Sequence, residues 1–188
     1  MNPVFLAALE VQRFCESQHW QFCFIGGVAV QRWGEPRLTK DADLTLMTGF
    51  GGEEPFIEAL LSVFAPRRAD AGQFALKSRV LLLRASSGIP LDIALGALPF
   101  EENSVRRASA FYINQIDNLT TCCAEDLIVH KAFASRNQDW LDIERILMRQ
   151  AGTLNLDLIW TELRPLIALK ESPEIEWKLK SMIDKWDK

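Results

Sequence analysis

The segment DADLTLM, residues 41–47, alternates strictly: Asp41, Asp43 and Thr45 fall on one side of an extended chain, Ala42, Leu44 and Leu46 on the other. Such a period suits a strand with one apolar face buried in a sheet and one polar face left accessible. Two carboxylates at i and i+2 then project from the same side. Just upstream, QFCFI reads as a buried strand, being rich in aromatic and β-branched residues. Gly26-Gly27 ends it, and VAVQRW fits a short helix closed by Gly34 and Pro36.

The remainder of the chain predicts an α/β half, residues 1–118, followed by a helical half, residues 119–188. Residues 3–18 carry apolar positions at helical spacing, with Asn2 as N-cap and Pro3 at the first helical position. EEPFIEALLSVF reads as a helix with acidic residues in its first turn. Residues 74–84 and 89–95 read as two strands joined by ASSG, the second alternating Leu91, Ile93 and Leu95 with Asp92 and Ala94. A loop rich in Glu, Asn and Arg precedes FYINQI, a short strand, and from residue 123 the spacing is helical throughout. Pro165 is expected to kink or interrupt one of these helices.

Composition narrows the function classes. With 188 residues, 48% hydrophobic and 24% charged, the chain suits one compact domain or a small domain with a helical extension. A formal net charge of −4 provides no global basic field for nucleic acid, so any such contact would be local or helped by a partner. The four cysteines form no C-x-x-C and only two histidines are present, which argues against a zinc site. Irregular cysteine placement and a start without a signal-peptide pattern predict reduced thiols in a cytoplasmic protein. No apolar run is long enough to predict a membrane span.

The chemistry concentrates in the aspartates. Asp41 and Asp43 on one side of a strand can share a cation, and Asp92 completes the set if its strand lies alongside. Three hard oxygen ligands on a rigid sheet suit Mg²⁺ (or Mn²⁺) and, through it, a polyphosphate. A strand, Gly26-Gly27 and then a helix place free backbone N–H groups where phosphate oxygens are favoured. Either motif alone also marks an ordinary turn or a solvated strand; their conjunction points to a triphosphate between glycines and metal.

These residues resemble the nucleotidyltransferase superfamily typified by DNA polymerase β: a hydrophobic strand, Gly26-Gly27, then Asp41 and Asp43, then Asp92 on a later strand. Over residues 20–96 the string GG-x-A followed by Gly34, Arg37, Thr39, Asp41 and Asp43 is similar to small bacterial abortive-infection and toxin–antitoxin nucleotidyltransferases. A second match lies in EDLIVHKAFASRNQDWLDI, at Asp126, Lys131, Arg136, Asp139 and Asp142. The resemblance implies a nucleotidyltransferase-type mixed sheet flanked by helices, with a C-terminal α-helical bundle. It implies transfer of an NMP from NTP to an acceptor hydroxyl, on RNA (tRNA) or protein, with a cognate antitoxin or toxin as partner. Asp41, Asp43 and Asp92 would hold the metal, Gly26 and Gly27 the triphosphate, Lys131 the nucleotide phosphates, and Asp142 or Asp139 would orient the acceptor.

Several positions carry competing readings. If residues 124–150 form one helix, Lys131 and Asp142, eleven residues apart, share a face opposite Val129, Phe133, Trp140 and Leu147. Without the resemblance that face reads as solvated. Arg37 can reach a phosphate or the Asp pair, or serve as a loop salt bridge, and Thr39 can bind near the nucleotide or only cap its loop. His130 reads as a packing or surface residue, the tryptophans of the helical half as packing, and Arg67-Arg68 and Arg106-Arg107 as solvated loop charges. Two further functions share the pattern: a low-activity regulatory or antitoxin nucleotide-binding protein, and a small-molecule (antibiotic) nucleotidyltransferase.

Overall fold

In the computed structural model, which describes residues 2–186, the described residues form seven strands and nine helices. The strands are β1 (Phe22–Phe24), β2 (Ala42–Met47), β3 (Ala65–Pro66), β4 (Val80–Arg84), β5 (Pro90–Gly96), β6 (Ser109–Tyr112) and β7 (Asn118–Thr121). They make one mixed sheet in the order β3-β4-β5-β2-β1-β7-β6. The helices are α1 (Pro3–Ser17), α2 (Gly26–Trp33), α3 (Glu54–Leu61), α4 (Ala71–Ser78), α5 (Pro99–Arg107), α6 (Ala124–Ala134), α7 (Asn137–Arg149), α8 (Leu156–Lys170) and α9 (Glu174–Trp186). The chain divides into two compact units, Met1–Val28 with Leu38–Cys122, and Ala29–Arg37 with Cys123–Lys188.

The first unit is organised by the alternation of β2. Ala42, Leu44 and Leu46 are buried in a cluster with Leu91, Ile93 and Leu95 of β5, Leu81 and Leu83 of β4, and residues of α1. Burying each such leucine contributes about 1.5–3 kcal/mol, so the apolar face decides which way the strand turns. A register slip of one residue would drive the aspartates into that core, and the register is therefore strongly specified. α1 begins as the sequence suggests: Asn2 Oδ1 accepts from the Val4 N–H at 3.0 Å, with Pro3 at the helix start.

Three assignments in the first unit differ from the sequence expectation. Residues 71–78 are helical, not the start of a strand; Arg79 ends α4 in the left-handed conformation and lets β4 begin at Val80. The Glu- and Arg-rich stretch is α5 rather than a loop. Pro99 sits in its first turn, and Glu101 Oε2 accepts from the N–H groups of Ala97 and Leu98 at 2.9 Å each. The strand expected in FYINQI lies earlier, as β6, and residues 113–117 are the turn that returns the chain antiparallel as β7.

The second unit packs α6 against α7, α8 and α9, with Ile128, Ile143, Ile146, Leu163 and Leu179 fully buried. Residues 124–150 are not one helix. Ser135 turns left-handed at φ 59°, and its N–H bonds Lys131 O at 2.9 Å, so α7 starts in a new direction. α8, by contrast, runs on through Pro165, so the proline does not interrupt it. Pro165 and Thr161 both lie on its exposed side, where the carbonyl deprived of a donor can turn to water. Gly34 lies against α7, and a Cβ there would meet Ile146 Cγ1 at 3.2 Å and Val30 Cγ1 at 3.3 Å. Among the described residues no helix is long and apolar enough to cross a membrane.

Glu171 caps α8 in the left-handed region at φ 55°, where a side chain is disfavoured and glycine is not. Glu171→Gly is expected to stabilise the chain by about 0.5–1 kcal/mol in urea denaturation. A loss of stability would contradict that backbone conformation.

Candidate active site

Parallel pairing of β2 with β5 sets Asp43 opposite Asp92, with Ala42 against Leu91 and Leu44 against Ile93. Asp41 precedes β2 and points to the same side. One carboxylate oxygen from each of Asp41, Asp43 and Asp92 lies within 4.8 Å of the others, and all three residues are half-buried. The sheet thus assembles the three acids, including Asp92, whose placement depended on strand order.

The two glycines and Thr39 close around this cluster. Gly26 opens α2 at φ +54°, and a Cβ there would collide with the Asp43 carboxylate. A Cβ at Gly27 would collide with the Thr39 side chain. The Gly27 N–H points to Asp43 Oδ2 at 3.4 Å, while Thr39 Oγ1 lies 3.3 Å from both the carbonyl and a carboxylate oxygen of Asp41. The close approach that these glycines permit is therefore, first, to the chain's own Asp43 and Thr39. Thr39 is buried, as befits a hydroxyl that fixes the turn into β2.

Arg67, read from sequence as a solvated loop charge, instead forms an ion pair with Asp92. Its partner Arg68 is committed elsewhere, donating to both oxygens of Asp70 at 2.9 and 3.0 Å. Pro66, suited to a sheet edge, was the one signal that residue 67 would follow a short edge strand. The residues present fit a divalent cation: three hard oxygen donors converge on one point, and Gly26 leaves room for the Asp43 carboxylate among them.

Lys131, Arg37 and Asp142 meet in the second unit. Asp142, with no exposed side-chain surface, accepts from Arg37 Nε and Nη2 at 2.8 Å each, from Lys131 Nζ at 2.7 Å and from Gln138 Nε2 at 2.9 Å. Lys131 also lies 3.4 Å from Asp139, whose Oδ2 accepts from the Arg136 N–H at 3.1 Å and thereby caps α7. The expectation of a solvated face is corrected: Lys131, Asp139 and Asp142 are all buried. Their meeting does not come from one helix face either, since the break at Ser135 folds α7 back toward α6. A phosphate contact by Lys131 would have to compete with two carboxylates. Arg37 is a salt-bridge residue here, and Gln138 is a member of the network that sequence reasoning missed.

His130 is half-buried, and burial pulls its pKa down to about 4, so it is neutral at pH 7. Burial by itself would raise the Asp142 pKa, but hydrogen bonds from Arg37, then Lys131 and Gln138, outweigh it and hold the carboxyl near 2. A depressed folded pKa gives stability that is complete above the unfolded value and is lost as pH falls through the folded one. Asp142 is thus expected to contribute ~2 kcal/mol at neutral pH. The contribution should disappear between about pH 4 and pH 2. Asp142→Ala, which removes the ion pair with Arg37 and leaves Lys131 only the longer contact with Asp139, is expected to destabilise by about 3 kcal/mol at pH 7, with a smaller difference from wild type at pH 2; equal unfolding midpoints at pH 7 would contradict the network.

No protein-family model matches the sequence, and a comparison with curated proteins finds no match. Solved structures do match. An antigenic nucleotidyltransferase-like protein from Paracoccidioides brasiliensis aligns over 94% of this chain and 91% of its own, at 16% identity and a TM-score of 0.53. The antibiotic-resistance factor ANT(2'')-Ia aligns over 99% of this chain in a solution structure (95% of that chain, 13% identity) and in a crystal complex with adenylyl-2''-tobramycin (99% of that chain, 14% identity), each at a TM-score of 0.47. The chain therefore has a nucleotidyltransferase-like fold, a mixed sheet flanked by helices with further helices toward its C-terminus.

Proposed function

We propose that this protein is a metal-dependent nucleotidyltransferase that moves an NMP from an NTP to an acceptor hydroxyl and releases pyrophosphate. The observation that carries the proposal is the convergence of Asp41, Asp43 and Asp92, from neighbouring strands, beside the glycine start of α2. The nucleotidyltransferase-like fold supports it.

Asp41 and Asp43 would hold Mg²⁺ or Mn²⁺, with Asp92 as the third ligand. When bound, the cation supplies charge neutralisation of the triphosphate and polarises the α-phosphoryl group. The backbone N–H of Gly26, and that of Gly27 once Asp43 turns to the cation, would face phosphate oxygens at the start of α2. Asp92 takes the proton of the acceptor hydroxyl as its oxygen attacks the α-phosphorus. The bond from that phosphorus to the bridging oxygen breaks, and pyrophosphate leaves with the electron pair. Thr39 fixes Asp41 from behind through its hydroxyl.

Lys131 and Asp142 are not among the direct contacts of the proposal, because each already bonds the other within the second unit. Arg37 belongs with them. For the acceptor, the resemblance of the segment from Gly34 to Asp43 favours a tRNA or protein hydroxyl in a toxin–antitoxin or phage-defence setting in the cytoplasm. Three intact carboxylates favour turnover over a purely regulatory role.

The test is incubation with each α-labelled NTP and Mg²⁺ or Mn²⁺, offering total tRNA, a protein lysate or an aminoglycoside panel as acceptor. Label on one acceptor class, reduced roughly 10²–10³-fold or more in Asp43→Asn, is the expected result. No label on any class, with no metal-dependent NTP binding by calorimetry, would remove the catalytic reading. Gly26→Ala should also suppress transfer, since its methyl group would displace the Asp43 carboxylate. Wild-type transfer by this variant would show that the close approach at Gly26 has no part in the site.

A further inference from the structure

We infer that Arg67 is the built-in counter-cation of the carboxylate cluster: its guanidinium holds Asp92 level with Asp43 while no divalent cation is bound, and it yields Asp92 when one binds. The inference rests on the nucleotidyltransferase reading above and adds to it a residue that sets metal affinity.

The sheet builds the contact deliberately. The Arg67 N–H bonds Leu82 O at 3.0 Å, Leu82 lies opposite Asp92, and Asp92 lies opposite Asp43. One lateral row thus crosses from the chain leaving β3 to β4, β5 and β2, with the cation at its edge and two acids at its centre. The guanidinium reaches Asp92 Oδ1 through Nη1, occupying an oxygen of the same carboxylate that a metal would need. Three acids within 4.8 Å repel one another, and an adjacent cation offsets that repulsion. Side-chain exposures of 26% for Arg67 and 30% for Asp92 make the pair a weak one. It is strong enough to orient a carboxylate and weak enough for a divalent ion to displace.

A merely structural salt bridge at the sheet edge makes the opposite prediction. Losing it would loosen Asp92 and weaken metal binding, or leave binding unchanged. A counter-cation competes with the metal, so its removal tightens binding.

The experiment is calorimetric titration of Mn²⁺ into the full chain, with and without a non-hydrolysable NTP analogue, for wild type, Arg67→Gln, Arg67→Lys and Asp43→Asn. Arg67→Gln is expected to bind Mn²⁺ roughly fivefold more tightly than wild type, and Arg67→Lys, which keeps the charge, to stay near wild type. Unchanged or weaker binding by a natively folded Arg67→Gln would overturn the inference. Wild-type Mn²⁺ binding that is absent, or that survives Asp43→Asn, would instead overturn the nucleotidyltransferase reading. Should Arg67→Gln fail to fold, the wild-type chain still decides the matter. Its Arg67 Nε–H resonance, assigned through Arg67→Lys, should move on Mg²⁺ addition, and a resonance that does not respond would overturn the counter-cation role.

Discussion

Three carboxylates held within 4.8 Å of one another are the constraint around which the first unit is built. Left to themselves they would separate, since like charges at that distance repel. They are kept together by the opposite face of the same strands. Ala42, Leu44, Leu46, Leu91, Ile93 and Leu95 are buried, and their burial fixes the register that puts Asp43 opposite Asp92. Apolar packing on one side of the sheet therefore drives the charge assembly on the other. The bare glycines at 26 and 27 and the buried Thr39 follow from the same demand, because Asp43 and Asp41 need room and a fixed entry to β2.

The second unit resolves charge in the reverse manner. Asp142 and Asp139 are buried, and burial of a carboxylate is tolerable only when it is paired and hydrogen-bonded. Arg37, Lys131, Gln138 and Arg136 meet that requirement together. The network ties the residues just before the aspartate segment to α6 and α7, and its value lies in geometry more than in net stability. The two clusters differ in chemistry for this reason. One contains more carboxylates than cations and is left accessible; the other sets three cations around two buried carboxylates.

Much of this was legible in the residues. The alternation of DADLTLM announced a half-buried strand with paired acids, and Asn2-Pro3 announced the start of α1. Asp92 was recognisable from its place between Leu91 and Ile93. Other features depended on tertiary contacts that a local pattern cannot carry. FALKSRVLLL looks continuously strand-like, and only the left-handed Arg79 divides it into helix and strand. The helical spacing of residues 124–150 continues across Ser135 although the backbone does not, because both helices present apolar faces with the same period. Lys131 and Asp142, expected on one face of a single helix, meet instead across the turn at Ser135. Arg67 was missed because its partner sits two strands away in the sheet and twenty-five residues on in sequence.

The central claim is that Asp41, Asp43 and Asp92 form a single divalent-metal site. It is tested most directly by anomalous diffraction from crystals soaked in Mn²⁺ with a non-hydrolysable NTP analogue. The expected result is an anomalous peak bound by oxygens of all three aspartates, with nucleotide phosphate completing its coordination. A peak that excludes two of the three aspartates, or nucleotide bound with no metal at this cluster, would contradict it.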